Sequence, residues 1–308
     1  MILVAGSANL DFVVRAGHIP APGETVLGHG FQTFPGGKGA NQAVACARAG
    51  GVPTAMLLAL GNDAFAAPLL DSLRSAGVEL HIQRTPDQPT GTAFICVSED
   101  GENAITVAPG ANLCLVAEHL PSLAGVSHLL MQLETPVPTV FAYARAARAQ
   151  GIQVVLNAAP AQALPAQVLA LVDILIVNEG ELAALSLPLG AQAGDIDKQL
   201  ACIAVPCVVV TLGGKGCMAR VLPSAGAGLG ASGAVQTFNQ AAFPVQVVDS
   251  TGAGDTFCGA LVAALSQHHQ LQTALRSASA AAALSCTQLG AQSAIPTRKA
   301  VDTLLSTP

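Results

Sequence analysis

The chain has 308 residues, 51% of them hydrophobic and 10% charged, with a net charge of −6. That is enough apolar material for one large α/β domain or two small ones, and too much for a disordered chain. Only four lysines occur (Lys38, Lys198, Lys215 and Lys299), which excludes a basic face for nucleic acid or an anionic membrane and leaves backbone N–H groups to bind any phosphate. The opening residues lack a basic flank and meet Asn9 and Asp11 almost at once, so 2–6 reads as a buried strand and not as an export signal. Asn9 and Asp11 then fall at its carboxyl end, where an amide and a carboxylate suit either a turn or a polyol. Residues 11–34 alternate apolar and polar around Pro22-Gly23, the pattern of antiparallel strands. Gly36-Gly37-Lys38-Gly39-Ala40-Asn41-Gln42 is a glycine-rich entry to a helix over 38–49, with Lys38 and Asn41 as donors for hydroxyls.

A strand over 55–60 and a helix over 64–75 follow, and 90–107 repeats the alternating pattern around Asp100-Gly101. Glu134 comes just after a strand at 128–131, placed for a ligand or for the first turn of a helix over 137–150 with Pro136. Further strands are expected at 153–156, 174–177 and 207–212. Asn178-Glu179-Gly180-Glu181 follows the strand at 174–177; Asn178 can cap a helix, and the glutamates can favour its positive end or face a divalent metal on a nucleotide. Thr211-Leu212-Gly213-Gly214-Lys215-Gly216 joins two strands by a tight glycine turn, which fits a hairpin or a nucleotide lying along it. Gly228, Gly230 and Gly233 match the dinucleotide fingerprint, but in a Pro/Ser/Gly/Ala loop followed by a strand-like 234–238, the wrong context for that site.

The most informative stretch is Asp249-Ser250-Thr251-Gly252-Ala253-Gly254-Asp255-Thr256-Phe257. From Phe257 the apolar residues follow a helical period over 256–267, so the glycines lead into a helix N-terminus with free N–H groups and room for an anion. A carboxylate there repels the anion unless it takes a proton from a group attacking it; the alternative is that Asp255 caps its own helix. A long helix is expected over 271–289. Eight scattered cysteines without a C-x-x-C point to reduced thiols in a cytoplasm, and the histidine spacing argues against a zinc site. The alternation of strands and helices predicts a mostly parallel sheet with helices on both faces, plus a small accessory β-sheet from 11–34 and 90–107 over the ligand edge or paired with a second subunit. An anion turn with a base, a polyol-type polar set and a metal-binding carboxylate on one sheet edge describe phosphoryl transfer to a hydroxyl.

In this order, Gly6-Ser7-Ala8-Asn9-Leu10-Asp11, Pro22-Gly23-Glu24-Thr25, Gly36 to Gln42, Met131-Gln132-Leu133-Glu134, Asn178 to Glu181, Thr211-Leu212-Gly213 and Asp249 to Phe257 resemble the motifs of the ribokinase-like (PfkB-type) carbohydrate kinases. The resemblance spans essentially the whole chain. It implies one kinase domain with a β-sheet lid, and ATP-dependent phosphorylation of a sugar, D-ribose at its primary hydroxyl. The alternatives are another furanose (deoxyribose, a fructose-type sugar or a nucleoside) and a non-catalytic sensor. It further implies Asp255 as base, with Gly252, Ala253 and Gly254 forming the anion hole. Asn9, Asp11, Gly37, Lys38, Asn41 and Glu134 become sugar contacts, and Asn178, Thr211, Gly213, Gly216 and Ser279 nucleotide contacts. Glu181 approaches Mg²⁺ through water, while Asp249, Thr251, Ser285, Gln288 and Gly290 surround an activating K⁺. A cytoplasmic homodimer is expected. The chain departs from the family at Asn157-Ala158-Ala159-Pro160, at Ser250, and at Ala294, where a serine often stands near the K⁺ site.

Overall fold

The computed structural model describes residues 1–225, 229 and 233–306; most of the glycine fingerprint around Gly228 and Gly230 lies outside them. The strands in chain order are β1 (Ile2–Ala5), β2 (Asn9–Ala16), β3 (His29–Gly36), β4 (Thr54–Leu60), β5 (Glu79–Arg84), β6 (Gly91–Ser98), β7 (Asn103–Ala108), β8 (His128–Met131), β9 (Gln153–Asn157), β10 (Ile174–Asn178), β11 (Cys207–Thr211), β12 (Cys217–Val221) and β13 (Gln236–Gln240). The helices are α1 (Lys38–Arg48), α2 (Ala66–Ser75), α3 (Val137–Ala149), α4 (Ala166–Leu169), α5 (Glu179–Ser186), α6 (Ile196–Cys202), α7 (Ala253–Ser266), α8 (Leu271–Ser285) and α9 (Arg298–Ser306).

The main sheet has the order β13-β12-β11-β10-β9-β8-β1-β4-β5, parallel from β11 to β5 and antiparallel at β12 and β13. Its inner strands are apolar throughout because both faces are covered. Ile2 and Val4 of β1 pack with α1, α2, α7 and α8, whereas Leu3 and Ala5 join α3, α5 and α6 on the other side. The chain starts in the middle of the sheet and builds outward both ways, so its order reverses between β1 and β8. In open α/β sheets a ligand crevice forms at such a reversal, beyond the carboxyl ends of the strands.

The second sheet has the order β3-β2-β6-β7. Contrary to the expectation of antiparallel strands alone, β2 and β6 run parallel, from Asn9 opposite Gly91 to Ala16 opposite Ser98. The reason is connectivity: β2–β3 and β6–β7 are each antiparallel pairs, but the chain passes through α1, β4, α2 and β5 between them. Asn9 and Asp11 therefore belong to this second sheet rather than to the end of β1. The helix expected over 271–289 stops at Ser285 as α8; Ser285 turns its hydroxyl back onto the Ala282 carbonyl, and 286–297 forms a looping segment before α9.

Candidate active site

At the sheet reversal the loops after β1 and β8 meet. Ser7 Oγ donates to Glu134 Oε2 at 2.5 Å, and the same oxygen accepts the Lys38 N–H at 3.2 Å. Helix α1 has no side-chain cap of its own, so Glu134 serves the N-terminus of α1, and not the first turn of α3 that follows it in sequence. Next to it Asn9, nearly fully buried, accepts from Asn112 Nδ2 at 2.7 Å, which leaves its own amide hydrogens for a ligand. Asp11 packs its carboxylate against Gly36, where a Cβ would lie 2.0 Å from Oδ2. Burial, with Glu134 and Asp255 as like-charged neighbours, pushes Asp11 up to about 7. The Lys38 ammonium has the opposite surroundings: Asp255, then Glu134 and Glu181, push its pKa up against the effect of burial.

Gly252 opens α7 with φ 73, a left-handed conformation that glycine adopts without strain. The Ala253 N–H is used within the turn, donating to the Ser250 carbonyl at 3.2 Å. Those of Gly252, Gly254 and Asp255 have no acceptor among the described residues, so two of the three N–H groups of the expected anion hole are free, and the N–H of Asp255 with them. Asp255 does not cap its own helix. Its Oδ2 accepts from Asn41 Nδ2 and its Oδ1 from Gln42 Nε2, both at 2.9 Å. Asn41 is thus engaged at both ends, since its Oδ1 accepts from Gln292 Nε2 at 3.1 Å. Helices α1 and α7 approach closely enough for this because residue 259 is glycine: a Cβ there would lie 2.5 Å from Ala45 Cβ and 2.6 Å from the Gln42 carbonyl oxygen.

Two spaces adjoin the start of α7 and share Thr211 and Gly254 in their walls. A polar one of about 150 Å³ is lined by Lys38, Asn178, Glu181, Thr211, Gly254 and Asp255, among others. Asn178 and Glu181 form the reciprocal cap of α5, each bonding the other's backbone N–H. The second oxygen of Glu181 takes no hydrogen bond among the described residues. Its pKa is raised by burial, against the Asn178 N–H and Lys38. The other space is a cleft of about 410 Å³ between the Gly213–Lys215 turn and α7–α8, reached by Thr211, Gly213, Gly216 and Ser279 and floored by Phe257, Ala282 and Ala283. Asp249 lies outside both. Its Oδ1 accepts from the Thr251 N–H and hydroxyl, and its Oδ2 from the Gly290 N–H at 2.9 Å. Those donors hold its pKa down against the effect of burial. The apolar run 243–248 before it forms no strand.

The structure therefore gathers Asn9, Asp11, Gly37, Lys38, Asn41, Glu134 and Asp255 at one point, with Glu181 across the polar space. Asp249 is tied separately, by its side chain to Thr251 and Gly290 and by its own N–H to the Cys286 carbonyl; Ser285 ends α8 just before that carbonyl, and Gln288 follows in the same loop as Gly290. Sequence reasoning missed the amides that connect them: Gln42, Gln132, Asn157, Asn112 and Gln292. Gln42 and Gln132 sit inside motifs already singled out, and their neighbours there were a usable signal; Asn112 and Gln292 carried none.

A carboxylate fixed beside free helix N–H groups, between a polar recess and an apolar cleft, can accept a proton from a hydroxyl while an anion is held opposite it. The chain matches the model of the pfkB family carbohydrate kinases over residues 1–298. It is 38% identical to the ribokinase of Haemophilus influenzae over 97% of this chain and 96% of the relative. It is 37% identical to that of Bacillus subtilis over 99% of both. Among solved structures, the Arabidopsis thaliana ribokinase complexed with ribose and ATP superposes with a TM-score of 0.87 at 31% identity, covering 100% of this chain and 99% of that one. The motif order, the fold and the site geometry agree with these likenesses, and the chain belongs to the pfkB family of carbohydrate kinases.

Proposed function

We propose that this protein is an ATP-dependent kinase that phosphorylates D-ribose at its primary hydroxyl, yielding ribose 5-phosphate and ADP. The observation that carries the reading is Asp255: a buried carboxylate aimed by two amides and set beside the free N–H groups of Gly252 and Gly254. Relatives named ribokinase, and the one complexed with ribose and ATP, support the choice of substrates.

Asp255 takes the hydroxyl proton as the oxygen attacks the γ-phosphorus, and the free N–H groups face the charge on the transferred group. Ala253 holds the turn. Asn9, Asp11, Gly37, Lys38, Asn41 and Glu134 bind the sugar, and the second sheet covers them as a lid on the one kinase domain, keeping water from the phosphoryl group. Thr211, Gly213, Gly216, Asn178 and Ser279 bind the nucleotide. Glu181 has a carboxylate oxygen free of the helix cap and is the residue that would hold Mg²⁺ through water; the ion neutralises phosphate charge when bound. The carbonyls of Thr251, Gln288 and Gly290 accept nothing among the described residues, so with Asp249 and the Ser285 carbonyl they suit a K⁺.

The lid's edge strands and exposed Phe31 and Ile105 favour a homodimer, which light scattering at micromolar concentration tests: a monomer throughout removes it. Eight unpaired thiols favour a cytoplasmic setting, and no helix among the described residues is long and apolar enough to cross a membrane.

A nucleoside substrate is disfavoured. Phe12 stacks on Phe31 and on Phe94, with centroids 6.1 and 5.4 Å apart, on the face of the lid opposite Asp11, which leaves Phe34 as the aromatic residue paired with Asp11. The deciding measurement is ADP release with a panel of pentoses, hexoses and nucleosides. We expect ribose to give the highest kcat/KM; a hexose or nucleoside above it overturns the choice of sugar, and no ADP with any sugar overturns the reaction.

A further inference from the structure

We infer that Gln42 is a positioning residue for Asp255, the working end of a chain of buried amides that fixes where the carboxylate oxygens point. The inference rests on reading Asp255 as the proton acceptor. Gln42 is fully buried on α1, and both of its amide hydrogens and its carbonyl oxygen are hydrogen-bonded. Nε2 donates to Asp255 Oδ1 and to Asn157 Oδ1, both at 2.9 Å, which uses both amide hydrogens. Oε1 accepts from Gln132 Nε2 at 2.6 Å.

The polarity of the chain follows from its far end. Asn157 Nδ2 donates to the Ile176 carbonyl at 3.1 Å, so Asn157 presents its oxygen to Gln42, and Gln42 must turn its NH₂ toward both Asn157 and Asp255. The remaining partner of that NH₂ has to be an acceptor, which a carboxylate is. A second, shorter chain holds the other oxygen: Ser72 Oγ donates to Gln292 Oε1 at 2.6 Å, Gln292 to Asn41 Oδ1, and Asn41 to Asp255 Oδ2. With each oxygen tied to a different donor, the carboxylate cannot turn about its Cβ–Cγ bond.

The two donors differ in what else they reach. Asn41 borders the sugar recess, so changing it confounds binding with orientation. Gln42 is fully buried and lines neither space; of its partners only Asp255 and the wall residue Asn157 face the polar space, so its effect on the rate passes through Asp255 and any effect through Asn157 shows in KM. A base that swings off line loses the near-attack geometry, and a misplacement of about 1 Å costs on the order of 10²-fold in rate without any loss of substrate contacts. A glutamine that merely fills its site would instead show in stability alone.

The test is the single-turnover rate of phosphoryl transfer from MgATP to ribose, with KM values and melting temperatures, for Gln42→Met, Gln132→Met, the double variant and Asp255→Asn. Methionine keeps the length and volume of glutamine and removes its hydrogen bonds. We expect Gln42→Met to slow transfer about 10- to 100-fold with both KM values within about two-fold. Gln132→Met, which reaches Asp255 only through Gln42, should slow it less, and the double variant no more than Gln42→Met alone. Transfer within about two-fold of the parent for Gln42→Met, or a fall matched by rising KM values, overturns the inference. If Gln42→Met does not fold, Gln132→Met decides on the same criteria. Asp255→Asn separates the levels: near-normal transfer in that variant refutes the base itself, whereas a lost rate there with a normal one in Gln42→Met refutes only the positioning.

Discussion

The two halves of the site are made of different material. The cleft proposed for the nucleotide is lined mainly by glycines, alanines, aliphatic residues and two phenylalanines, with Thr211, Ser250 and Ser279 as its hydroxyl side chains. The end proposed for the sugar is made of side chains: Asn9, Asp11, Asn41, Glu134 and Asp255 are buried or half-buried, and Asn9, Asn41, Glu134 and Asp255 are hydrogen-bonded to partners far away in the chain. A mainly apolar cleft reads shape. A recess of buried donors and acceptors reads hydroxyl groups one by one, because a sugar lacking one leaves a polar group unpaired. That discrimination has a cost in the resting protein, visible in Asp11, whose carboxylate is pushed up to about 7 by burial and by its acidic neighbours.

The contrast predicts that substitutions in the sugar end act on rate or sugar binding and those in the cleft on ATP alone. The largest effect is expected from Asp255→Asn, with kcat lower by roughly 10²–10⁴-fold while calorimetry still detects ribose. Turnover near the parent's would dissolve the distinction at its centre. Asp11→Asn should raise the ribose KM about 10- to 100-fold and leave the ATP KM nearly unchanged, the effect of weakening one charged hydrogen bond.

The same variant tests the cost. Asp11 binds its proton more tightly in the folded protein than at its ordinary value of 3.8, so its contribution to stability is present below that value and is lost as pH rises to about 7. Asp11→Asn should therefore melt a few degrees above the parent at pH 8, with the gap closing toward pH 4; an equal or lower melting temperature at pH 8 contradicts the strain. On the cleft side, Gly216 has φ 101 and a Cβ there would lie 2.0 Å from the Gln240 carbonyl oxygen, so Gly216→Ala must open the turn. We expect the ATP KM to rise about tenfold and the ribose KM to stay.

The smallest effect concerns K⁺. Titrated into a buffer free of both sodium and potassium, it should raise kcat more than it changes the ribose KM. With Ala294 in place of a hydroxyl, high concentrations should be needed. Asp249→Ala should abolish the response, and a flat titration in the parent removes the site.

Much of this was legible in the chain, for identifiable reasons. β1, β8, β10 and β11 are short uninterrupted apolar runs buried on both faces, and α7 carries its helical period next to its glycines. β5 was not legible, because Glu-Leu-His-Ile-Gln-Arg is a half-exposed edge strand, and neither was the short amphipathic α9. At the site, the residues delivered by a glycine turn or a strand end could be named in advance. The amides could not: Gln42 meets Asn157 across 115 positions, Gln132 meets Gln42 across 90 and Gln292 meets Asn41 across 251. An amide side chain carries no periodicity and no motif, so only the fold reveals its partner. The parallel pairing of β2 with β6 was hidden for the same reason, since local alternation reports a strand but not its neighbour.

The missing side chain at residue 259 sets the spacing of α1 from α7, and through it the reach of Asn41 and Gln42 to Asp255. A methyl group there would touch no substrate and add no charge, yet it would wedge the two helices apart against Ala45 and the Gln42 carbonyl. The reacting groups would all be present and out of register, as in a lock whose pins are intact but whose cylinder has shifted. The position acts as a gauge block, and the tolerance of the chemistry is set by a dimension of the packing as well as by the groups that perform it.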